Sequence, residues 1–276
     1  VHFSGRPTVM TWEQQHVPSI LNVWFEEGNS LQLEFYCGII FMSMFTNKRI
    51  MVVAAHPDDE LLGLGATMHK LIKTQGVQTR VIILGEGITS RSDTRDTEQW
   101  KEVLERQHQN VETARQLIGY HSVQAYNFSD NRFDSHALLD IVKVVEHEKE
   151  QFRPDFIFTH HGGDLNIDHQ MTFQAVMTAT RPMEDEPVKA IFTFETPSAS
   201  EWQATCDPRH FTANFYMEIS EDDLKAKCAA MAAYEFESRA FPHPRSSEAL
   251  KALARFRGYT VGKHLAEAFQ IVRMIE

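Results

Sequence analysis

The chain of 276 residues is 42% hydrophobic and 24% charged, which is typical of one large globular domain with room for a small appendage. Its formal net charge of −11 argues against nucleic acid or an anionic membrane as the main partner, and it leaves open an anionic small substrate held by local arginines. The three cysteines are widely spaced without a CxxC pair, so neither a disulfide framework nor a cysteine-based zinc site is expected.

The N-terminal region differs in pattern from the rest of the chain. Residues 1–46 show no clear helical or strand period, whereas the strongly patterned sequence begins at Asn47. We therefore predict an N-terminal extension over residues 1–46 and one domain over residues 47–276. A helix at about residues 12–25 is the alternative interpretation of the extension.

No membrane insertion is expected from the apolar pattern. The most apolar stretch near the N-terminus, residues 36–42, is far shorter than the roughly 20 residues that cross a bilayer. It also lacks the basic flank of a signal peptide. Together with the cysteine pattern, these features favour a reducing compartment, and we expect a cytoplasmic protein.

From Arg49 onward, apolar strand patterns alternate with helical periods. The predicted strands lie at residues 49–55, 79–84, 123–128, 155–159, 190–195 and 211–219. The predicted helices lie at residues 61–73, 96–118, 135–151 and 169–180, with another beginning at Ser220 and a last helix and strand within 246–275. Repeated βα units of this kind predict an α/β fold with a doubly wound, mainly parallel sheet and helices on both faces.

The first strand stops at a cluster of one imidazole and three carboxylates, which belong to His56, Asp58, Asp59 and Glu60. Pro57 cannot donate to a sheet ladder, so the strand is predicted to end there. The cluster then lies at the carboxyl end of a central strand, where open α/β sheets bind their ligands. Burying such groups without partners is costly, so the cluster needs a cation or dense hydrogen bonding. Glu60 is expected in the first helical turn or as support for a ligand.

A second polar cluster, residues 160–169, follows the fourth predicted strand in the same way, and both clusters are expected to project from one sheet edge. A catalytic zinc takes three nitrogen or oxygen ligands and keeps one position for water. We therefore predict that His56, Asp59 and a histidine of the second cluster bind one metal ion. Imidazole and carboxylate without thiolate suit zinc or another divalent first-row metal.

Residues 55–60, with the sequence AHPDDE, resemble the signature of the PIG-L/LmbE-like N-acetylglucosaminyl deacetylases. The resemblance runs from about residue 48 to 275 and includes the turn at 85–87 and the pair Asp168 and His169. It implies a Rossmann-like fold and zinc-dependent removal of an acetyl group from an N-acetylated sugar. The domain over residues 47–276 is accordingly interpreted as a deacetylase domain of this type.

The resemblance also implies roles for single residues. By motif position, His56, Asp59 and His169 correspond to the metal ligands, and Asp58 corresponds to the general base. One position departs from the family pattern, because many members have a histidine three residues before the last ligand and this chain has Asn166. That histidine is credited with stabilising the oxyanion, so the role is open here to Asn166, His160, His161 or a residue elsewhere.

Further residues are predicted to contact the substrate. Arginines in the loops after the second and third strands suit an anion clamp for a phosphate or nucleotide, with ordinary surface positions as the alternative. The proline-bracketed loop at residues 241–246 is expected to present a histidine or an arginine to the same cleft, or else to turn a corner. The complete predicted set is Arg91, Arg95, Asn131, Arg132, His161, Asn166, Asp168, His243 and Arg245.

These residues favour a metal-dependent amide hydrolase, and the resemblance implies that it acts on a small N-acetylated sugar or glycoconjugate. A metal lowers the pKa of its bound water towards about 7 and polarises the amide carbonyl. Asp58, which the resemblance does not use as a ligand, is placed to take the proton. The alternatives are a metal-dependent phosphoesterase, for which Asp164 is the obvious spare ligand, and a non-catalytic metal or sugar-nucleotide binding protein. Similarity to the family also makes a homo-oligomer a reasonable expectation.

Overall fold

Seven strands form one mixed sheet in the computed structural model, which describes residues 43–276. The strands are β1 (Arg49–Ala54), β2 (Gln78–Gly85), β3 (Ser122–Phe128), β4 (Phe156–His160), β5 (Ala190–Phe194), β6 (Phe215–Glu218) and β7 (Ala266–Met274). Their order across the sheet is β3-β2-β1-β4-β5-β7-β6. Strands β1 to β5 run parallel, whereas β7 runs antiparallel to both β5 and β6. The predicted α/β fold with a mainly parallel sheet is confirmed.

Six α-helices connect and cover these strands within residues 43–276. They are α1 (Asp59–Gln75), α2 (Lys101–Ile118), α3 (Leu138–Phe152), α4 (Ile167–Ala179), α5 (Glu221–Ala233) and α6 (Ser247–Tyr259). Helix α1 ends at Gly76, whose φ of 63° is the left-handed conformation that favours glycine at this position. The predicted alternation of strands and helices is therefore present. The helix considered at residues 12–25 lies outside the described residues.

Two predicted elements begin four or five residues later than expected. The helix expected from residue 96 starts at Lys101, because the Asp96 carboxylate accepts hydrogen bonds from the amides of Glu98 and Gln99 and holds a separate turn there. The strand expected from residue 211 starts at Phe215.

The hydrophobic core lies on both faces of the sheet. Val52 of β1 faces one core cluster, whereas Met51 and Val53 face the other, so the strand is buried on both sides and has a continuous apolar sequence. Helices α1, α2 and α5 contribute to the first cluster, and α3 and α4 contribute to the second. The predicted placement of helices on both faces is therefore present.

Phe45 belongs to the core although it precedes the predicted domain boundary. Its side chain is 1% exposed, and its ring centroid lies 5.4 Å from that of Phe156 and 5.9 Å from that of Phe192. A domain that began at residue 47 would lack this aromatic side chain. We therefore place the start of the domain before Phe45.

The sheet brings the two polar clusters together. Strands β1 and β4 are parallel neighbours, with Val53 paired to Thr159, so their carboxyl ends lie side by side. The residues that follow β1 and β4 therefore leave the sheet at the same edge, as ligand-binding loops of open α/β sheets do. None of the helices within residues 43–276 combines the length and the apolar character that a bilayer crossing requires.

Candidate active site

Three side chains from the two clusters converge at this edge. His56, Asp59 and His169 each offer a ligand atom, and these atoms lie within 4.8 Å of one another. The Asp59 Oδ2 atom is 3.4 Å from His56 Nδ1 and 3.4 Å from His169 Nε2. Asp59 and His169 are almost fully buried. The structure thus brings together the three residues that the resemblance implies as metal ligands.

The turn between β1 and α1 sets the positions of the first cluster. Asp58 has a φ of 103°, which is unusual for a residue with a side chain. Its backbone N–H donates to Glu60 Oε2 at 3.0 Å, and its carbonyl accepts from Leu61 and Leu62, which starts the helix. The next residue, Asp59, accepts the N–H of His56 at 2.8 Å. This tight turn points the side chains of Asp58 and Asp59 in different directions.

A carboxylate lies behind His56 and fixes its orientation. Asp168 Oδ2 is 2.9 Å from His56 Nε2, and Asp168 Oδ1 accepts the backbone N–H of Phe133 at 2.9 Å. A hydrogen bond from Nε2 to Asp168 leaves the Nδ1 lone pair facing Asp59, which is the arrangement usual for metal-binding histidines. Asp130 Oδ1 is also 3.4 Å from His56 Nε2.

His169 has a similar environment. Its Nδ1 atom is 3.1 Å from Asp164 Oδ1, which leaves Nε2 facing Asp59. Asp164 is itself held by the Ser200 hydroxyl at 2.5 Å and by the backbone N–H of Asn166 at 2.9 Å. Asp164 therefore lies behind a histidine and supports it.

His160 is the third imidazole at this edge, and it is neutral. Its ring stacks on that of His169, with centroids 3.9 Å apart and planes 15° apart. The backbone N–H of Ala55 donates to its Nε2 at 2.9 Å, so this nitrogen carries no proton. Burial and the neighbouring His169 lower the pKa of His160 to about 4. His160 therefore serves as a packed surface for His169.

The electrostatics of the cluster favour a cation. Burial acts to lower the pKa values of His56 and His169, but nearby carboxylates outweigh it and raise both pKa values. Conversely, burial acts to raise the pKa of Asp59, and the adjacent imidazoles hold it well below its usual range. The Asp59 Oδ1 atom is buried and has no hydrogen-bond partner among the described residues. An unpartnered carboxylate oxygen beside two oriented imidazoles fits a divalent metal ion such as zinc.

Asp58 lies beside this cluster without belonging to it. Its side chain is 1% exposed, and Oδ2 accepts a hydrogen bond from Arg245 Nη1 at 2.9 Å. Burial raises the pKa of Asp58 well above its usual range, although Arg245 acts in the opposite direction. A buried carboxyl group with a raised pKa is suited to exchange protons with a substrate or a water molecule.

A polar cleft opens over Asp58. Of the residues predicted to contact substrate, Arg91, Asn131, Asn166 and Arg245 line it. Arg91 and Arg245 are both paired with Glu237, at 2.7 and 2.8 Å. The full lining is His56, Pro57, Asp58, Gly87, Ile88, Ser90, Arg91, Asp130, Asn131, Asn166, Glu237 and Arg245.

Other residues predicted to contact the substrate lie outside this cleft lining and have partners within the protein. Arg95 forms a two-pronged pair with Glu86, with both N···O distances 2.8 Å. Arg132 donates to the carbonyl of Asp93 at 3.3 Å. With Arg91 and Arg245 also paired, each of the four arginines predicted to contact the substrate has a partner within the protein.

Three further predicted residues, two in loops and one in α4, also lie outside the cleft lining. His161 donates to the carbonyl of Arg209 at 2.6 Å, away from the cleft. The His243 Nδ1 atom accepts the backbone N–H of Arg245 at 3.2 Å and so braces the loop. Asp168 is completely buried behind His56. Sequence spacing alone does not show whether Asp168 faces the substrate or lies behind His56.

Asn166 combines two roles. Its side-chain oxygen accepts the N–H groups of Asp168 at 2.8 Å and His169 at 3.4 Å, which caps α4. Its amide nitrogen donates to Asn131 Oδ1 at 2.8 Å on the cleft side. The cap fixes the start of the helix that carries His169.

The sequence interpretation missed two charged residues of the cleft. Asp130 follows β3 at the same sheet edge, so its position after a strand was an available signal. Glu237 lies in the loop after α5 and had no motif around it. Its place in the cleft depends on how that loop packs.

The comparisons with known proteins agree with this fold. The model of the PIG-L family, described as GlcNAc-PI de-N-acetylase, matches residues 51–180. The predicted resemblance is confirmed over residues 51–180, which match this family model.

A curated relative and several solved structures show the same similarity. The chain is 28% identical over 193 residues to the uncharacterized deacetylase YaiS of Escherichia coli K12, covering 67% of this chain and 90% of that protein. The structure of the conserved protein TT1542 from Thermus thermophilus aligns with a TM-score of 0.63 at 21% identity, covering 83% of this chain and 96% of that chain. N,N'-diacetylchitobiose deacetylase from Pyrococcus horikoshii aligns with a TM-score of 0.62 at 18% identity, covering 82% of this chain and 84% of that chain.

The fold alone does not determine the reaction. GalB from Pseudomonas putida KT2440, a 4-carboxy-2-hydroxymuconate hydratase, aligns with a TM-score of 0.63 at 20% identity, covering 83% of this chain and 98% of that chain. Because a hydratase and a deacetylase share this fold, the activity has to be argued from the site residues.

Proposed function

We propose that this protein is a zinc-dependent hydrolase that removes an acetyl group from an N-acetylated amino sugar or glycoconjugate. One observation carries the proposal. A buried carboxylate, that of Asp58, lies in a polar cleft directly beside a cluster of three residues suited to bind a metal. Amide hydrolysis needs both an electrophilic centre and a separate proton acceptor, and this arrangement supplies both.

His56, Asp59 and His169 would hold the metal. Three nitrogen and oxygen ligands are typical of a catalytic zinc site. When bound, the metal supplies Lewis acidity, which lowers the pKa of water and polarises the amide carbonyl. Asp168 and Asp164 orient the two imidazoles from behind.

Asp58 would act as the general base. One of its carboxylate oxygens is held by Arg245, so the other is available to the attacking water. Asp58 accepts a proton from that water and returns it to the leaving nitrogen of the sugar. A positioned acid–base group of this kind contributes about 10²–10⁴-fold to a rate.

Asn166 is a neutral donor of the cleft, whereas the amide nitrogen of Asn131 already donates to Ser90 and Asp130. Each side-chain amide has two N–H groups, and one of those on Asn166 is used by Asn131. The second N–H of Asn166 would be available to the carbonyl oxygen of the substrate or to a sugar hydroxyl. This assigns to Asn166 the hydrogen-bonding role that the sequence left open.

The cleft suits a sugar, since its lining is polar and its arginines are already paired with carboxylates. Neutral hydroxyl groups need both donors and acceptors; Ser90, Asp130 and Asn131 in the cleft hydrogen-bond one another, so a sugar hydroxyl would share their oxygens or replace one of these bonds. The names of the family model and of the Pyrococcus horikoshii relative point to N-acetylated sugars as well. The predicted homo-oligomer and the cytoplasmic location stay predictions.

The proposal is tested with Asp58→Asn and His169→Ala. Zinc-loaded protein is incubated with N-acetylglucosamine, N,N'-diacetylchitobiose and nucleotide-linked N-acetyl sugars, and free amine and acetate are measured together with bound metal. We expect the Asn variant to keep its metal and lose about 10²–10⁴-fold in turnover, and the Ala variant to lose its metal. Turnover by Asp58→Asn at the wild-type rate would contradict the assignment of the base.

A phosphoesterase remains the second candidate because of one further cluster. His56, Asp130 and Asp168 also offer ligand atoms within 4.8 Å of one another. Two adjacent cation sites would suit phosphate-ester hydrolysis. Including p-nitrophenyl phosphate in the same panel separates the two activities.

A further inference from the structure

Arg245 makes its side-chain hydrogen bonds with groups of the protein that surround Asp58. Its Nη1 atom donates to Asp58 Oδ2 at 2.9 Å and to Glu237 Oε2 at 2.8 Å. Its Nε atom donates to the hydroxyl of Ser198 at 2.8 Å. The guanidinium is therefore fixed by three partners, and its planar shape fixes where the Asp58 oxygen lies.

The backbone of Asp58 is held from the opposite side. Its N–H donates to Glu60 Oε2 at 3.0 Å, and Glu60 Oε1 accepts the hydroxyl of Tyr234 at 2.8 Å. Tyr234 is fully buried at the end of α5. The left-handed conformation of Asp58, with a φ of 103°, is maintained by these contacts.

Three of the residues in these contacts come from one stretch of the chain. Tyr234, Glu237 and Arg245 lie within twelve residues of sequence, beyond residue 180 where the family match ends. Helix α5 and the loop before α6 thus complete a site whose other parts come largely from the matched region.

We propose that Arg245 is a positioning residue that holds the Asp58 carboxylate in place for the reaction, and that it does not bind the substrate. The proposal rests on the proposed function. It replaces the role of substrate contact that the sequence predicts for Arg245. A guanidinium that already pairs with two carboxylates has little charge to offer an anionic substrate, whereas it fixes one Asp58 oxygen and leaves the other to face the water.

The kinetic test is a double-mutant cycle between Arg245 and Asp58. We expect Arg245→Gln to lower kcat by about a hundredfold with KM nearly unchanged, since displacing a reacting group by about 1 Å has an effect of this size. In the Asp58→Asn background the same change should alter the remaining rate by less than about twofold, because Arg245 acts only through Asp58. Added guanidinium should partly restore the rate of Arg245→Ala.

Two measurements do not depend on turnover. The Kd of zinc-loaded Asp58→Asn for N-acetylglucosamine should be the same with and without Arg245→Gln. In crystals of Arg245→Gln, the Asp58 carboxylate should leave the place it occupies in the wild type. If Arg245→Gln does not fold, Arg245→Lys serves instead, because it keeps the charge and loses the planar fork.

The matched control is Arg80→Gln. Arg80 pairs with buried Glu148 at 2.5 Å, and its side chain is 22% exposed against 23% for Arg245. Arg80 lies near the start of β2, at the sheet edge opposite the cleft. We expect this variant to keep kcat and KM.

The outcomes separate this inference from the proposed function. A raised KM, a weaker Kd for N-acetylglucosamine, or a further fall in rate in the Asp58→Asn background would overturn it and make Arg245 a substrate contact. An unmoved Asp58 carboxylate in the Arg245→Gln crystals would overturn it as well. Absence of amine release by the wild type would count against the deacetylase, while the crystallographic comparison would still decide the positioning role.

Discussion

Three histidines at the strand ends differ in their hydrogen-bond partners because different groups lie behind each ring. His56 and His169 each face one carboxylate from behind, Asp168 and Asp164 respectively. His160 has the hydroxyl of Thr196 on one side and the backbone N–H of Ala55 on the other. The same side chain therefore serves as a proposed metal ligand in two places and as a neutral packing surface in the third.

The neutral state of His160 should make stability depend on pH. Its pKa is lowered to about 4 in the folded protein by burial and by His169, against about 6.5 for an unfolded chain. Between these values the unfolded state binds more protons, so the free energy of unfolding falls as the pH falls. From pH 7 to pH 5, we expect His160 to account for a loss of about 2 kcal/mol.

The loss of stability is measured by urea unfolding of chelator-treated protein at about pH 7 and about pH 5. His160→Gln keeps groups that can hydrogen-bond and cannot take up the proton, so its loss of stability over the same interval should be smaller by that amount. Equal losses for the wild type and the variant would show that His160 binds a proton in the folded state.

At the scale of elements, α1 contains a non-helical residue in its middle, and side chains of α5 and β7 form hydrogen bonds with the backbone on either side of it. Leu64 has a φ of −153°, which is far from helical and interrupts the hydrogen-bond ladder. Lys227 of α5 donates to the carbonyl of Leu62 at 2.8 Å, and Glu267 of β7 accepts the N–H of Thr67 at 2.7 Å. Lys227 and Glu267 also pair with each other at 2.6 Å, and both are buried.

Removing one charge of this pair should lower the free energy of unfolding far more than removing both charges. Lys227→Met leaves the Glu267 carboxylate buried without a counter-ion, which typically costs about 3–5 kcal/mol. Combining Lys227→Met with Glu267→Gln removes that charge, so the double variant should be more stable than the single one. Urea unfolding of the three proteins measures the difference.

Lys225→Met provides the control on the same helix. Lys225 pairs with Asp222 at 3.0 Å, but both side chains are largely exposed. We expect this variant to lie within about 0.5 kcal/mol of the wild type. A double variant no more stable than Lys227→Met would show that the unpaired charge is not the main cost.

At the scale of the whole molecule, local sequence patterns predicted those site residues that lie directly after a strand. The apolar run of β1 ends at His56, and β4 ends at His160. Parallel neighbouring strands then bring these clusters together without further information. Most helix and strand positions were likewise predictable, because the hydrophobic periods are strong.

What the sequence did not predict depends on contacts between distant segments. Strand β7 is the last in the chain, yet it lies between β5 and β6 and runs antiparallel to them. Arg245 and Asp58 are 187 residues apart, and no local pattern links them. Such pairs arise from the way α5 and the following loop pack over the sheet, which periodicity does not encode.

The start of the domain is a property of the whole molecule that a single substitution tests. Phe45 is 1% exposed and packs on three aromatic side chains of β4 and β5, whereas its neighbour Met44 is 37% exposed. Phe45→Ala should therefore lower the free energy of unfolding by about 3–5 kcal/mol, as for other large core side chains. Met44→Ala should change it by no more than about 0.5 kcal/mol. If both variants unfold at the wild-type urea concentration, Phe45 is not part of the domain and the boundary predicted at residue 46 stands.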